Sequence, residues 1–196
     1  MAIAEPGMPR PLVNPWLAAA VLAGALLSLG AIGRRPLWQD EAETAMLGRN
    51  ILAYGLPYAY DGNNLISAEA GREFGEDKLW RWSPWLQFYL AAGAQAVLGK
   101  SEAAVRLPFV LAGLLAIPGT YVFARLLGAS WAAAGWSAWL LALSAPFLLH
   151  VGQARWYGPA IALSAWFLAA LARAVSGDRR AVPVLAGAWV LLFYSN

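Results

Sequence analysis

Cysteine is absent from the 196 residues, histidine occurs once, and charged side chains make up only 13%. Each shortage excludes something. Without cysteine there is no disulfide scaffold, although the redox compartment stays open. A soluble domain carries roughly 25% charge, so this chain has too little polar surface to coat a water-soluble globule of its size. Basic runs are lacking as well; the formal charge of +3 gives no argument for nucleic acid, which is not expected as a partner. Missing too are a phosphate-binding glycine loop, a Gly-x-Ser-x-Gly and a His-Glu-x-x-His, so soluble nucleotide-sugar or ATP chemistry has no support. What remains is 60% apolar residues, 11 tryptophans and long charge-free runs. The composition is that of an integral membrane protein.

The charge-free runs predict an all-α membrane protein with about five transmembrane helices, at about 15–33, 107–124, 131–149, 157–173 and 182–196. The first run is longer than a signal-peptide core, so it is expected to be an uncleaved anchor. A sixth apolar stretch, 82–99, has Ser83, Gln87, Ala91, Gln95 and Gly99 four apart, one small or polar helical face. That pattern suits a short helix lying in the interface or on the bundle rim. Charge separates this from a sixth crossing. If 82–99 does not cross, Arg10, Arg125, Arg173, Arg179 and Arg180 all fall on the cytoplasmic side, as the positive-inside rule requires. The expected topology therefore has five spans and a long extracytoplasmic loop, 34–106, carrying short interfacial helices, one of them over 39–54.

That loop holds Asp40, Glu41, Glu43, Asp61, Glu69, Glu73, Glu76, Asp77 and Glu102, all the acids except Glu5 and Asp178. Three segments within or beyond it can carry chemistry, and each also has a purely structural reading. In Trp38-Gln39-Asp40-Glu41-Ala42-Glu43, Asp40 and Glu43 have the spacing of a capping box at a helix start. A carboxylate there can equally act as a general base at the interface. Adjacent helical positions point about 100° apart, so Asp40 and Glu41 would divide the roles, one capping or binding and the other moving a proton.

In His150-Val151-Gly152-Gln153-Ala154-Arg155-Trp156-Tyr157, the aromatic pair suits an interfacial belt and Arg155 a snorkelling cation. Functionally, Arg155 offers a forked donor to phosphate. His150 can donate a hydrogen bond or ligate a metal, but no second ligand stands at a matching spacing, and no metal site is assigned. In Ser101 to Pro108, Arg106 pairs at i,i+4 with Glu102 or meets a substrate at the outer entrance of the second span.

In order, the chain presents one span, Trp38-Gln39-Asp40-Glu41-Ala42-Glu43 with Arg49-Asn50-Ile51-Leu52, Ser83-Pro84-Trp85-Leu86-Gln87-Phe88-Tyr89, residues 101–108, and Gln153-Ala154-Arg155-Trp156-Tyr157. This order resembles the N-terminal part of GT-C membrane glycosyltransferases, of the protein O-mannosyltransferase and aminoarabinose-transferase type. The resemblance implies transfer of a sugar from a polyprenyl-phosphate donor to a lipid, protein or glycan acceptor, with inversion, at the outer face of a bacterial plasma membrane. It implies Asp40 as catalytic base, and Glu41, Arg106, His150, Gln153, Arg155 and Tyr157 as substrate-binding residues. No cofactor is fixed; a divalent metal stays open, although Gly158-Pro159 stands where the family often has an acid. Family members run to more than twice this length, so a truncated or split product, not necessarily active alone, is expected. Rival readings are a lipid-linked sugar flippase component, which would need polar residues inside its spans, and a non-catalytic membrane subunit, which would not need Asp40.

Overall fold

A computed structural model of the chain describes residues 14–30 and 32–195; the Arg10 and Glu5 expectations lie outside these residues. The secondary-structure elements among the described residues are all helices, with no strand, and 55–85 is a connection of turns and isolated bridges. The order is α1 (Pro15–Leu29), α2 (Gln39–Tyr54), α3 (Leu86–Leu98), α4 (Glu102–Leu114), α5 (Ala116–Leu126), α6 (Trp131–Ala142), α7 (Ala145–Val151), α8 (Tyr157–Val175) and α9 (Ala181–Ser195). Local chemistry explains most of the starts. Asn14, Ser101, Ser130 and Ser144 each accept a backbone N–H of the first turn of α1, α4, α6 and α7, satisfying donors that have no partner inside the helix. Gly55 ends α2 in the left-handed region at φ 82°, a conformation glycine adopts without a Cβ penalty.

Two helix junctions have a proline cause. Pro118 cannot donate to the Leu114 carbonyl, and Leu115 N–H instead reaches Ala112 O at 3.1 Å, which separates α4 from α5 without breaking the rod. Residues Glu102–Leu126 still form 25 continuous helical residues. By contrast, Ser144-Ala145-Pro146 bends α6 against α7 by 58°.

The chain is a membrane protein by helix length and apolarity, but the five expected spans are not matched in length. Glu102–Leu126 and Tyr157–Val175 are long and apolar enough to cross, and α6 with α7 makes a third if the bent pair is one span. The second crossing starts earlier than 107, so Arg106 sits one turn inside the helix rather than in the preceding loop. The run expected at 131–149 is two helices, α6 and α7, bent at the proline turn. The helices found at 15–33 and 182–196 have 15 residues each, about 22 Å, short of a hydrocarbon core of about 30 Å. Gly30 and the Gly33-Arg34-Arg35-Pro36 turn end the first before that length is reached. Residue 31 and residue 196 lie outside the described set.

Successive passes run between two ends of one bundle. At one end Asn14 Nδ2 donates to Tyr121 Oη at 2.8 Å, and Arg125 lies over the Trp131 ring. The opposite end carries α2, α3 and the 55–85 connection. Between the ends, alanines of α1 and α6 (Ala20, Ala134, Ala138, Ala142) pack on Val110, Ile117 and Val151. Small residues let the helix backbones approach closely. Gly158 is the tightest case: a Cβ there would collide with the Phe109 carbonyl. Leu22, Leu26, Leu140, Val184 and Phe193 point outward and exposed, a surface that suits lipid rather than water.

The end carrying α2 and α3 has its own core of Leu47, Ile51, Ala59, Trp80 and Phe88. The helix within 82–99 is α3, 13 residues long. Its small and polar row faces inward: Gln87, Ala91 and Gln95 are buried, and Gln95 Nε2 donates to Ala45 O of α2 at 3.0 Å. Gly48 permits that approach, since a Cβ there would stand 2.9 Å from Gln95 Nε2.

Candidate functional site: two carboxylate–guanidinium clusters

Helix α2 begins where the α2–α3 end meets the bundle, and its first turn sends consecutive acids in different directions. The capping expectation needs correcting. Trp38, not Asp40, is the N-cap, and Glu41 at the third helical position accepts the Trp38 backbone N–H at 3.3 Å. Asp40 and Glu43 are thereby released from capping.

Glu41 is sealed. Arg106 Nε and Nη2 donate to its two oxygens at 2.7 and 2.6 Å, and Ala154 N–H donates at 2.8 Å. Burial alone would push this carboxyl up. The Arg106 hydrogen bond, the Ala154 and Trp38 amides and the Arg106 charge reverse that and hold it below the ordinary carboxylate value. Arg106 also donates from Nη1 to Ile32 O and Arg35 O and from Nη2 to Pro36 O. A guanidinium has five N–H donors, and all five are engaged. Arg106 therefore does not make the expected i,i+4 hydrogen bond with Glu102, and it has no donor left for a substrate phosphate. It ties α4 to the α1–α2 turn, and Glu41, through Ala154 N–H, carries the link on to the 152–156 loop.

The second cluster is open. Arg155 Nη1 donates to Glu43 Oε1 at 3.1 Å and to Asp40 O at 3.4 Å, while its Nη2 stands 3.5 Å from Asp40 Oδ2. Its Nε is buried with no hydrogen-bond partner among the described residues. Asp40 keeps 33% of its side chain exposed, against 2% for Glu41. Glu43 borders a cavity of 350 Å³ with Gln39, Arg49 and Ser67. Its burial raises the carboxyl above the ordinary value, the charge of and hydrogen bond from Arg155 oppose this, and the charges of Asp40 and Glu73 add to the rise. A partly exposed carboxylate and a largely buried guanidinium with an unpartnered N–H thus stand side by side.

The other expected residues separate. His150 lies in the last turn of α7 with Nδ1 buried and unpartnered among the described residues, its ring 4.8 Å from that of Tyr157. Tyr157 opens α8 and stacks on Trp156 at 4.5 Å. Gln153 lies on the far side of the Glu41–Arg106 pair, lining a different cleft. Three residues at the site carry weight that their sequence context did not signal as chemistry. Glu43 contacts Arg155. Gln87 accepts the Trp156 N–H at 3.2 Å and so fixes the Arg155 loop against α3. Glu73 is buried and accepts from Ser67 Oγ and the Ala68 and Glu69 amides. The four-apart row containing Gln87 was a signal for packing, and it serves both ends. Among the described residues, no group of three or more His, Asp or Glu side chains is arranged to hold a metal ion. Compared with protein-family models, with curated proteins and with solved structures, the chain matches none.

Proposed function

We infer that this protein is a GT-C-type glycosyltransferase chain that moves a sugar from a polyprenyl-phosphate donor to a hydroxyl or amine acceptor at the outer face of a bacterial plasma membrane. In this reading α1, α4–α5, α6–α7, α8 and α9 are five crossings, the arginines at 125, 173, 179 and 180 face the cytoplasm, and 34–101 faces outside. The observation that carries the reading is the pairing of one-third-exposed Asp40 with Arg155 beside a sealed Glu41–Arg106 frame.

The chemistry follows from the two charges. Asp40 takes the proton from the acceptor as the acceptor's oxygen or nitrogen attacks the anomeric carbon. The bond from that carbon to the phosphate oxygen breaks, and the phosphate leaves with the electron pair. Arg155 offers its free Nε–H and fork to the growing negative charge. Attack opposite the leaving phosphate inverts the anomeric centre.

Asparagine at position 40 keeps the shape and the local packing but cannot accept a proton. Transfer from a labelled polyprenyl-phosphate sugar, measured on membranes containing the full-length protein, should fall about 10²–10⁴-fold in Asp40→Asn. Unchanged transfer in that variant removes Asp40 from the chemistry and the reading with it.

A further inference from the structure

A second cleft, of 440 Å³, opens between the outer ends of α1 and α7, behind the Glu41–Arg106 pair. It is amphipathic in a directional way. Leu27 and Leu149 line it and are more than half exposed, an apolar surface that suits lipid. Trp38 stands at its rim, where an indole suits the membrane–water boundary. Deeper in, Ser28 lines the wall at 8% exposure, and its hydroxyl has no hydrogen-bond partner among the described residues. A buried hydroxyl without a partner loses hydration and gains nothing, unless a ligand supplies the missing bond.

Charge gives the sign of that ligand. Glu41 and Arg106, both in the lining, cancel one another through their bidentate contact. Arg35 also lines the cleft, exposed and in no ion pair among the described residues. One uncompensated guanidinium therefore shares the cleft with apolar side chains and an unsatisfied hydroxyl. The backbone carbonyl of Arg35 accepts from Arg106, which fixes where the side chain departs.

We propose that this cleft holds the phosphate headgroup of an anionic bilayer phospholipid. Arg35 takes the phosphate, Ser28 Oγ donates to a headgroup or ester oxygen, and the acyl chains run out past Leu27 and Leu149 into the bilayer. A cleft of this volume lies within the range of small-ligand sites, about 300–1,000 Å³. The site is separate from Asp40 and Arg155 and does not depend on sugar transfer. Its effect is to clamp α1 to α7 at the end where the Arg106 frame meets the membrane.

The test is native mass spectrometry of the detergent-purified protein, titrated with phosphatidylglycerol or phosphatidylcholine. One phosphatidylglycerol should be retained in preference to phosphatidylcholine. Arg35→Ala should weaken that retention about tenfold, as expected for losing a charge-assisted contact, and Ser28→Ala about threefold. Arg34→Ala removes an equal charge that does not line the cleft and should leave retention within about twofold, the scale of a screened surface charge. Equal losses in Arg34→Ala and Arg35→Ala would reduce the effect to surface charge and overturn the site. Equal binding of the two lipids would do the same. One-for-one displacement of phosphatidylglycerol by polyprenyl monophosphate would also overturn it, by assigning the cleft to the sugar donor. Because nothing here reads sugar transfer, failure of the lipid site leaves the assignment of Asp40 standing.

Discussion

Glu41 with Arg106 and Asp40 with Arg155 are the same chemical pair, set one residue apart on α2, in opposite states. In the first, every guanidinium N–H is engaged and the carboxylate accepts four donors. In the second, the closest approach of the side chains is 3.5 Å, a third of the carboxylate is exposed, and one buried N–H has no partner. Saturation, not residue type, separates the two clusters. A group whose hydrogen bonds are complete has nothing to give a substrate, and one left incomplete holds that capacity at a cost to stability.

Removing one side of the sealed pair should have the largest effect. Arg106→Leu leaves Glu41 buried without its counter-charge, and the cost of that is about 3–5 kcal/mol. Thermal unfolding in detergent should show it as a large drop in midpoint. The double variant Glu41→Leu with Arg106→Leu should recover part of the loss, because no lone charge remains. An unchanged midpoint in the single variant would put the two clusters on an equal footing.

Next in size is the open cation. Arg155→Lys keeps the charge but replaces the planar fork by a point charge. Transfer should fall about tenfold, and the unfolding midpoint should move little. Wild-type turnover with lysine would make Arg155 an interfacial anchor and erase the contrast.

The smallest expected effect lies in pH. Glu43 has a raised carboxyl when folded, so the folded state binds its proton more tightly than the unfolded chain does. That contribution is fully present below the ordinary value of 4.5 and is lost as pH rises through the folded value. Glu41 is shifted the other way: its contribution is present above 4.5 and lost as pH falls. Glu43→Gln should therefore gain stability relative to wild type as pH is raised from 4 towards neutrality. A stability difference that does not vary with pH would mean Glu43 is not held in the buried position described.

Much of the frame was legible in the sequence, because burial in lipid and helix signals act locally. The α2 limits follow from Trp38-Gln39-Asp40-Glu41 at one end and Tyr54-Gly55 at the other. The membrane character follows from composition. Span lengths were less legible, since charge-free runs do not register Ser144-Ala145-Pro146 or the glycines at 30 and 33, which stop helices inside apolar sequence. Least legible was the division of labour. Glu102 and Arg106 have good local spacing, yet Arg106 prefers an acid 65 positions away, joined by three carbonyls of the α1–α2 turn. Spacing along one helix cannot express a competition won by tertiary contacts. The choice between Asp40 and Glu41 likewise depends on which of them faces Arg106.

The division itself is tested most directly by the unfolding midpoints of Asp40→Asn and Glu41→Gln, measured side by side on the purified protein in the same detergent. Both variants remove one negative charge from neighbouring positions of one helix turn, with almost no change in volume. The account predicts that Asp40→Asn stays within about 0.5 kcal/mol of wild type, as for a surface change, while Glu41→Gln loses several times more, because Arg106 is left buried and uncompensated. Equal losses, or the greater loss in Asp40→Asn, would contradict it.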